Sequence, residues 1–193
     1  MQSFDGAYVA GTPPWDIGHA QPAFQRLADA STFTGHVLDV GCGTGEHALM
    51  AAQVGLDATG IDSAPTAIER AQAKAAERGL VACFVVGDAL DLEQLDAQFN
   101  TVLDCGFFHV LDAEARVQFL PSLAAVMSPG ARYYMLAFSD RMPGDFGPRR
   151  LTEAEIRATF VDGWRVVSID PAPLETTMEI PGNFAWLSVI ERV

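Results

Sequence analysis

Four aspartates fall at or near the ends of successive apolar runs: Asp39 in HVLDV, Asp62 after ATGI, Asp88 after ACFVVG and Asp104 in TVLDC. A carboxylate at the carboxyl end of a strand can accept hydrogen bonds from sugar hydroxyls, an exocyclic amine or an ammonium group. One such Asp is equally an ordinary cap at a strand end. Four in succession, beside the loop Gly41-Cys42-Gly43-Thr44-Gly45, point to a ligand site. Glycines at alternate positions let the backbone turn tightly and approach a ligand with no Cβ in the way. The helix N-terminus beyond the loop presents unpaired N–H groups.

The spacing restricts the ligand. Dinucleotide sites use G-x-G-x-x-G, and here the third glycine is replaced by Glu46, whose charge would oppose a pyrophosphate. No Gly-Lys-Ser/Thr follows, so a P-loop is excluded. S-adenosylmethionine carries no phosphate and does not conflict with Glu46. Asp62, with Ser63 after it, stands where an acidic side chain accepts from both ribose hydroxyls. Asp88 is placed for an adenine amine, with the Ala89 N–H beside it, Asp104 for the ammonium end, and Asp39 is counted with them as a cofactor contact.

The elements that must position these residues alternate strand and helix, the form of a parallel α/β sheet. Strands are expected at 36–40, 58–61, 82–86, 101–105 and 131–138, then 164–169 and 184–191. Helices are expected over 46–53, from an N-cap at Ser63 to Arg78, over 113–127 with a kink or break at Pro121, and from Thr152 to near Phe160. Thr152-x-x-Glu155 is a capping box. Before them, Pro22–Ala30 reads as one helix preceded by an extended arm.

VLDVGCGTGEHAL, TGIDSAPTAIERA, FVVGDAL and TVLDCGFFHVL, in that order, resemble the class I S-adenosylmethionine-dependent methyltransferases over about residues 37–138. The resemblance implies a Rossmann-like α/β fold: a seven-stranded, mostly parallel sheet of order 3-2-1-4-5-7-6, strand 7 antiparallel, with helices on both faces. It assigns cofactor contacts to Gly41, Gly43 and Gly45, ribose binding to Asp62 and adenine binding near Asp88. Pro13-Pro14-Trp15-Asp16-Ile17-Gly18 is similar to the N-terminal segment of halide, thiol and thiopurine-type methyltransferases. That likeness implies an arm folded over the cofactor with Trp15 at the sulfonium, or, read structurally, a Trp15 that only anchors the terminus. One methyltransferase domain is expected over 1–193, with 1–34 as arm and helix and 35–193 as core.

Methyl transfer from a sulfonium needs alignment and exclusion of water more than covalent help. A base is needed only if the acceptor must lose a proton. His109, in Gly106-Phe107-Phe108-His109-Val110, is the candidate base, with a structural histidine as the alternative. Phe107, Phe108 and His19 are candidate pocket residues, with Phe146 in a lid over residues 139–150. Met142, Met178 and Phe184 fit the pocket or the core equally, and Arg149 and Arg150 fit an anionic acceptor or a helix-flanking charge pair. No Asn/Asp-Pro-Pro-Tyr/Phe follows strand four, and no carboxylate cluster marks a metal site. The expected acceptor is therefore a small molecule bearing an oxygen, sulfur or heteroaromatic nitrogen, such as a hydroxylated heterocycle, quinone or thiol. The alternatives are a non-catalytic S-adenosylmethionine binder and an NAD(P)-dependent oxidoreductase.

Composition agrees. Of 193 residues, 49 % are hydrophobic, enough for a core, and the formal net charge of −13 would repel a phosphate backbone, so no nucleic-acid partner is expected. No apolar run reaches the ~18 residues of a membrane span and no secretory leader is seen. The three dispersed cysteines read as thiols, which places the protein in the cytoplasm.

Overall fold

Two apolar layers sandwich one sheet, and the alternation of side chains along the central strands separates them. The computed structural model describes residues 4–144, 147–178 and 184–193. The strands are β1 (Val37–Val40), β2 (Ala58–Asp62), β3 (Cys83–Val86), β4 (Phe99–Cys105), β5 (Met127–Phe138), β6 (Trp164–Ala172) and β7 (Ala185–Arg192). Their order is β3-β2-β1-β4-β5-β7-β6, with β7 antiparallel to both neighbours and the other pairs parallel. The helices are α1 (Phe4–Ala10), α2 (Pro22–Asp29), α3 (Glu46–Gln53), α4 (Pro65–Arg78), α5 (Ala113–Ala125) and α6 (Glu153–Thr159).

Leu38, Val102 and Tyr133 pack toward Phe119 and Leu123 of α5 and Ile156 of α6. Val37, Leu103 and Tyr134 pack on the other face, toward Phe24 of α2, Leu49 of α3 and Ile68 of α4. Because β1, β4 and β5 are covered on both faces, their sequences are near-continuous apolar runs. In the central register Val40 lies beside both Ile61 and Asp104, and Asp104 beside Met135. The ends of β1, β2, β4 and β5 therefore open on one edge, where ligands bind in such sheets.

Three local expectations are corrected. The arm is not wholly extended: Phe4 and Tyr8, four apart, form one face of α1. Ser63 is exposed and does not cap α4. The N-cap is Ala64, whose side chain can cap nothing, and the N–H of Thr66 is capped instead by Asp5 of α1 at 2.9 Å. α5 runs through Pro121 without ending. The N–H that proline lacks would have met the carbonyl of Val117, a residue on the exposed face. The Thr152–Glu155 capping box is present in both directions. No helix among the described residues is long and apolar enough to cross a membrane.

Candidate active site

The glycine loop is held by its neighbours on every side. Gly41, Gly43 and Gly45 all have positive φ, a conformation that favours glycine. Close packing adds a second reason: a Cβ on Gly41 would lie 2.8 Å from the Phe107 ring, and one on Gly43 2.6 Å from the Tyr8 hydroxyl. The loop's N–H groups are largely taken. Cys42 donates to the Ile61 carbonyl (2.9 Å), Gly43 to Asp62 Oδ2 (2.8 Å) and Gly45 to the Cys42 carbonyl (2.9 Å).

This replaces the argument made from Glu46. That carboxylate is turned away from the loop's open side and joined to Lys74 (2.7 Å) and Arg78 (2.8 Å) of α4. Burial alone would push its pKa up, but the two cations outweigh burial and hold it below the usual range. Glu46 therefore excludes no ligand. What disfavours a pyrophosphate is a loop with few N–H groups left to receive one.

Asp62 is half-buried at the end of β2, with Oδ1 accepting from the Ala64 N–H and Oδ2 from Gly43 (both 2.8 Å). Burial raises its pKa while these backbone donors pull it down. Each oxygen keeps a lone pair for a hydroxyl. Asp88 is exposed at the end of β3 and accepts from the Leu90 N–H (2.9 Å), with Ala89 buried beside it. Asp62, Ser63, Asp88 and Ala89 thus follow adjacent strands along the edge beside the loop.

Asp39 and Asp104 are not beside them. Asp39 is 1 % exposed and points beneath the loop, where Oδ2 accepts from the Ala48 N–H of α3 (3.2 Å) and Oδ1 lies 3.9 Å from His47 Nδ1. Asp104 is fully buried on the opposite face and accepts from the N–H groups of Phe107 (2.8 Å) and Phe108 (3.0 Å) and from the Tyr133 hydroxyl (2.5 Å). Burial raises its pKa to about 6 against the pull of those three donors. Neither carboxylate has surface left for a ligand, so the expectations that Asp39 contacts the cofactor and that Asp104 meets its ammonium group are corrected.

The turn after β4 is also redistributed. Phe107 lies against Gly41 and meets Phe119 edge-on. Phe108 is 1 % exposed, packed on Phe119 and Phe160 with the Arg116 guanidinium over its ring, so it belongs to the core and not to a pocket. His109 is buried, and its Nδ1 accepts the Phe138 N–H (3.0 Å). Burial lowers its pKa to about 4, with Arg116 adding to the effect. A ring that accepts at Nδ1 carries its proton on Nε2 and cannot take another without losing that bond. The expectation of a general base is corrected on that ground. His109, Val110, Leu111 and Asp112 line a cleft of about 450 Å³ with Pro148 and Arg149, within the range of small-molecule sites.

On the arm, Trp15 is half-exposed and donates through Nε1 to the Tyr8 hydroxyl (2.9 Å), while Asp16 accepts from Thr44 of the loop (2.8 Å) and lies 3.8 Å from Lys74. Arg70 of α4 donates to the carbonyls of Tyr8 and Gly11. Tyr8, buried against the loop, was missed from sequence; its spacing from Phe4 was the available signal. Gln21 was missed too: it is 2 % exposed and pairs in both directions with the Glu175 backbone (2.8 Å each). His19 is exposed beside Glu175. Met142 is buried, Met178 exposed and Phe184 partly buried. Arg149 pairs with Glu155, and Arg150 donates to the carbonyls of Gly144 and Pro143. Phe146 lies outside the described residues.

A methyltransferase-domain family model matches residues 37–130. The chain is 39 % identical over 169 residues to the 2-heptyl-1-hydroxyquinolin-4(1H)-one methyltransferase of Mycobacteroides abscessus, covering 86 % of this chain and 74 % of that one. The chain belongs to the class I S-adenosylmethionine-dependent methyltransferases. This methyltransferase is also similar, at a TM-score of 0.89 and 36 % identity, to a structure solved in work on conversion of a disulfide bond into a thioacetal group during echinomycin biosynthesis; the match covers 98 % of this chain and 91 % of that one. It shares its fold with the magnesium protoporphyrin IX methyltransferase of Synechocystis with bound S-adenosylhomocysteine (TM-score 0.68, 21 % identity, 87 % and 78 % covered). The methyltransferase uses S-adenosylmethionine to methylate a small molecule.

Proposed function

We propose that this methyltransferase acts on an oxygen atom of a small hydroxylated heteroaromatic compound of the hydroxyquinolone kind. The observation that carries the reading is its 39 % identity to a hydroxyquinolone methyltransferase over 86 % of the chain. When bound, S-adenosylmethionine supplies an electrophilic methyl group on a sulfonium. Asp62 and Ser63 would hold the ribose, Asp88 and Ala89 the adenine, and Gly41, Gly43 and Gly45 would let the cofactor approach the backbone. The fit rests on a loop with few N–H groups left for phosphate, beside a carboxylate with lone pairs to offer. The arm, latched through Asp16 to Thr44, would cover the cofactor with Trp15 and Tyr8 and help exclude water. The cleft at His109 would take the acceptor.

A sulfur acceptor is the second reading, favoured by the structural likeness at a TM-score of 0.89. We further infer a cytoplasmic enzyme without a nucleic-acid partner, supported by free thiols and the charge of −13.

The test is calorimetric titration with S-adenosylhomocysteine and with NAD, followed by mass-spectrometric turnover assays. The acceptor panel is 2-heptyl-1-hydroxyquinolin-4(1H)-one, a hydroxyquinone and an aromatic thiol. Binding of S-adenosylhomocysteine alone and methylation of the hydroxyquinolone oxygen are expected. Turnover of the thiol alone would replace this reading with the second, and binding without turnover of any acceptor would reject both.

A further inference from the structure

The turn from Gly106 to Val110 reaches from the cofactor loop to the acceptor cleft. Asp104 anchors its start through the N–H groups of Phe107 and Phe108, and Phe138 anchors its end through His109 Nδ1. Between these anchors Phe107 lies on Gly41, and His109 lines the cleft. A histidine tied at Nδ1 by a backbone donor has one tautomer available, with the proton on Nε2. Nε2 has no protein partner among the described residues, and it is not among their sealed, unsatisfied polar atoms.

We propose that His109 donates its Nε2–H to an oxygen of the methyl acceptor, and that the acceptor enters the cleft already ionised, so that no protein base is used. The inference rests on the small-molecule O-methylation reading above. It narrows the acceptor to acidic hydroxyl compounds, with a second oxygen or a delocalised oxyanion for the donor to hold. N-hydroxy-heterocycles conjugated to a carbonyl have that chemistry. In the transfer, the acceptor's oxyanion forms the new O–C bond as the donor's C–S bond breaks and leaves its electron pair on sulfur. No proton moves to or from the protein.

The charges around His109 suit such an acceptor. On α5, Arg116 stacks over Phe108, and its Nε and Nη2 have no partner among the described residues. Arg149 lines the same cleft and is paired with Glu155 of α6. Asp112, the cap of α5, is the opposing carboxylate there. From β4, Asp104 faces away, closed by its own three donors. A protein of net charge −13 thus has one arginine, Arg149, in the lining of this cleft and a second, Arg116, near His109.

Nitrogen-15 NMR of histidine-labelled protein tests the inference without turnover. His109, assigned from the His109→Gln spectrum, should carry its proton on Nε2 and stay neutral from about pH 5.5 to 8.5. His47 is an internal contrast: its Nε2 accepts the Gln21 N–H, so its proton belongs on Nδ1. A His109 that titrates in that range, or holds its proton on Nδ1, would overturn the proposal whether or not any acceptor is methylated.

Kinetics with 2-heptyl-1-hydroxyquinolin-4(1H)-one separates donor from base. His109→Gln places an amide N–H near the position of Nε2 and should keep kcat/KM within about threefold. His109→Ala should lose about 100-fold, as when one oxyanion donor is removed, with S-adenosylhomocysteine affinity unchanged in both variants. Across ring-substituted acceptors, the pH midpoint of kcat/KM should follow the acceptor's own pKa. Equal damage in both variants, with a midpoint fixed for every acceptor, would restore the base and reject the donor. Failure of the O-methylation reading would look different, because wild-type protein would bind S-adenosylhomocysteine and methylate either the thiol alone or none of the panel.

Discussion

Asp62 and Asp104 both stand at strand ends on the same edge of the sheet, and the two halves of the site around them are built differently. Asp62 is half-buried, its oxygens shared between the backbone of the glycine loop and whatever occupies the open side. Around it runs a partly exposed set of charges, Asp16, Lys74, Glu46 and Arg78, that ties the arm, α3 and α4 together. Asp104 is sealed, with Tyr133, Phe107 and Phe108 as its partners and aromatic rings around them. The first half keeps carboxylate oxygens on an open side. The second is core, from which Phe107 reaches Gly41 and His109 reaches the lining of the cleft. Similar residues in similar strand positions therefore need not share a role; exposure decides which of them can meet a ligand.

The sharpest break of this contrast is Asp104→Leu. Three buried donors would lose their acceptor at about 1–3 kcal/mol each, so a stability loss of about 4 kcal/mol is expected in urea unfolding. The same site has a pH signature. Its carboxyl, at about 6 when folded, lies above the roughly 3.9 of an unfolded aspartate. Between those values the folded chain binds the extra proton, so this group makes stability fall as pH rises from about 4 to 6. Asp104→Asn should flatten that slope, and an unchanged slope would show that the group is not buried as described.

On the other half, Asp62→Ala should weaken S-adenosylhomocysteine about 100-fold by calorimetry, near 2.7 kcal/mol, with a smaller loss of stability. If stability fell more than affinity, the two halves would be alike after all. Lys74→Met removes one of the two cations on Glu46 and should lower stability by about 1 kcal/mol, less at high salt, because Arg78 remains. Trp15→Ala should change stability by about 0.5 kcal/mol, since the ring is half-exposed. Any effect of that variant should fall on cofactor affinity, read by the same titration.

The strand–helix alternation, the glycine loop and the strand-end positions of the aspartates were legible in the chain, because each depends on local pattern, while the sheet order came from the resemblance to class I methyltransferases. Continuous apolar runs, helix stops such as Gly79 and the Thr152–Glu155 box are written in a few neighbouring residues. Phe108 was read as a pocket residue and His109 as a base for the same reason: a ring next to a strand end looks alike whether it faces a ligand or the core. The helix in the arm was missed because its support is remote, with Asp5 on Thr66 and Arg70 on the Tyr8 carbonyl.

By itself, then, the sequence determined the alternating strands and helices and the glycine loop, since backbone conformation and hydrophobic pattern need no distant partner, and its motifs carried the resemblance to class I methyltransferases. Tertiary structure alone decided which carboxylates remain available, that Glu46 is neutralised by Lys74 and Arg78, and that His109 accepts a backbone N–H at Nδ1. Those outcomes depend on desolvation and on which hydrogen-bond partner arrives from another element. Phe138 lies far along the chain from His109, and only folding brings its N–H to that ring.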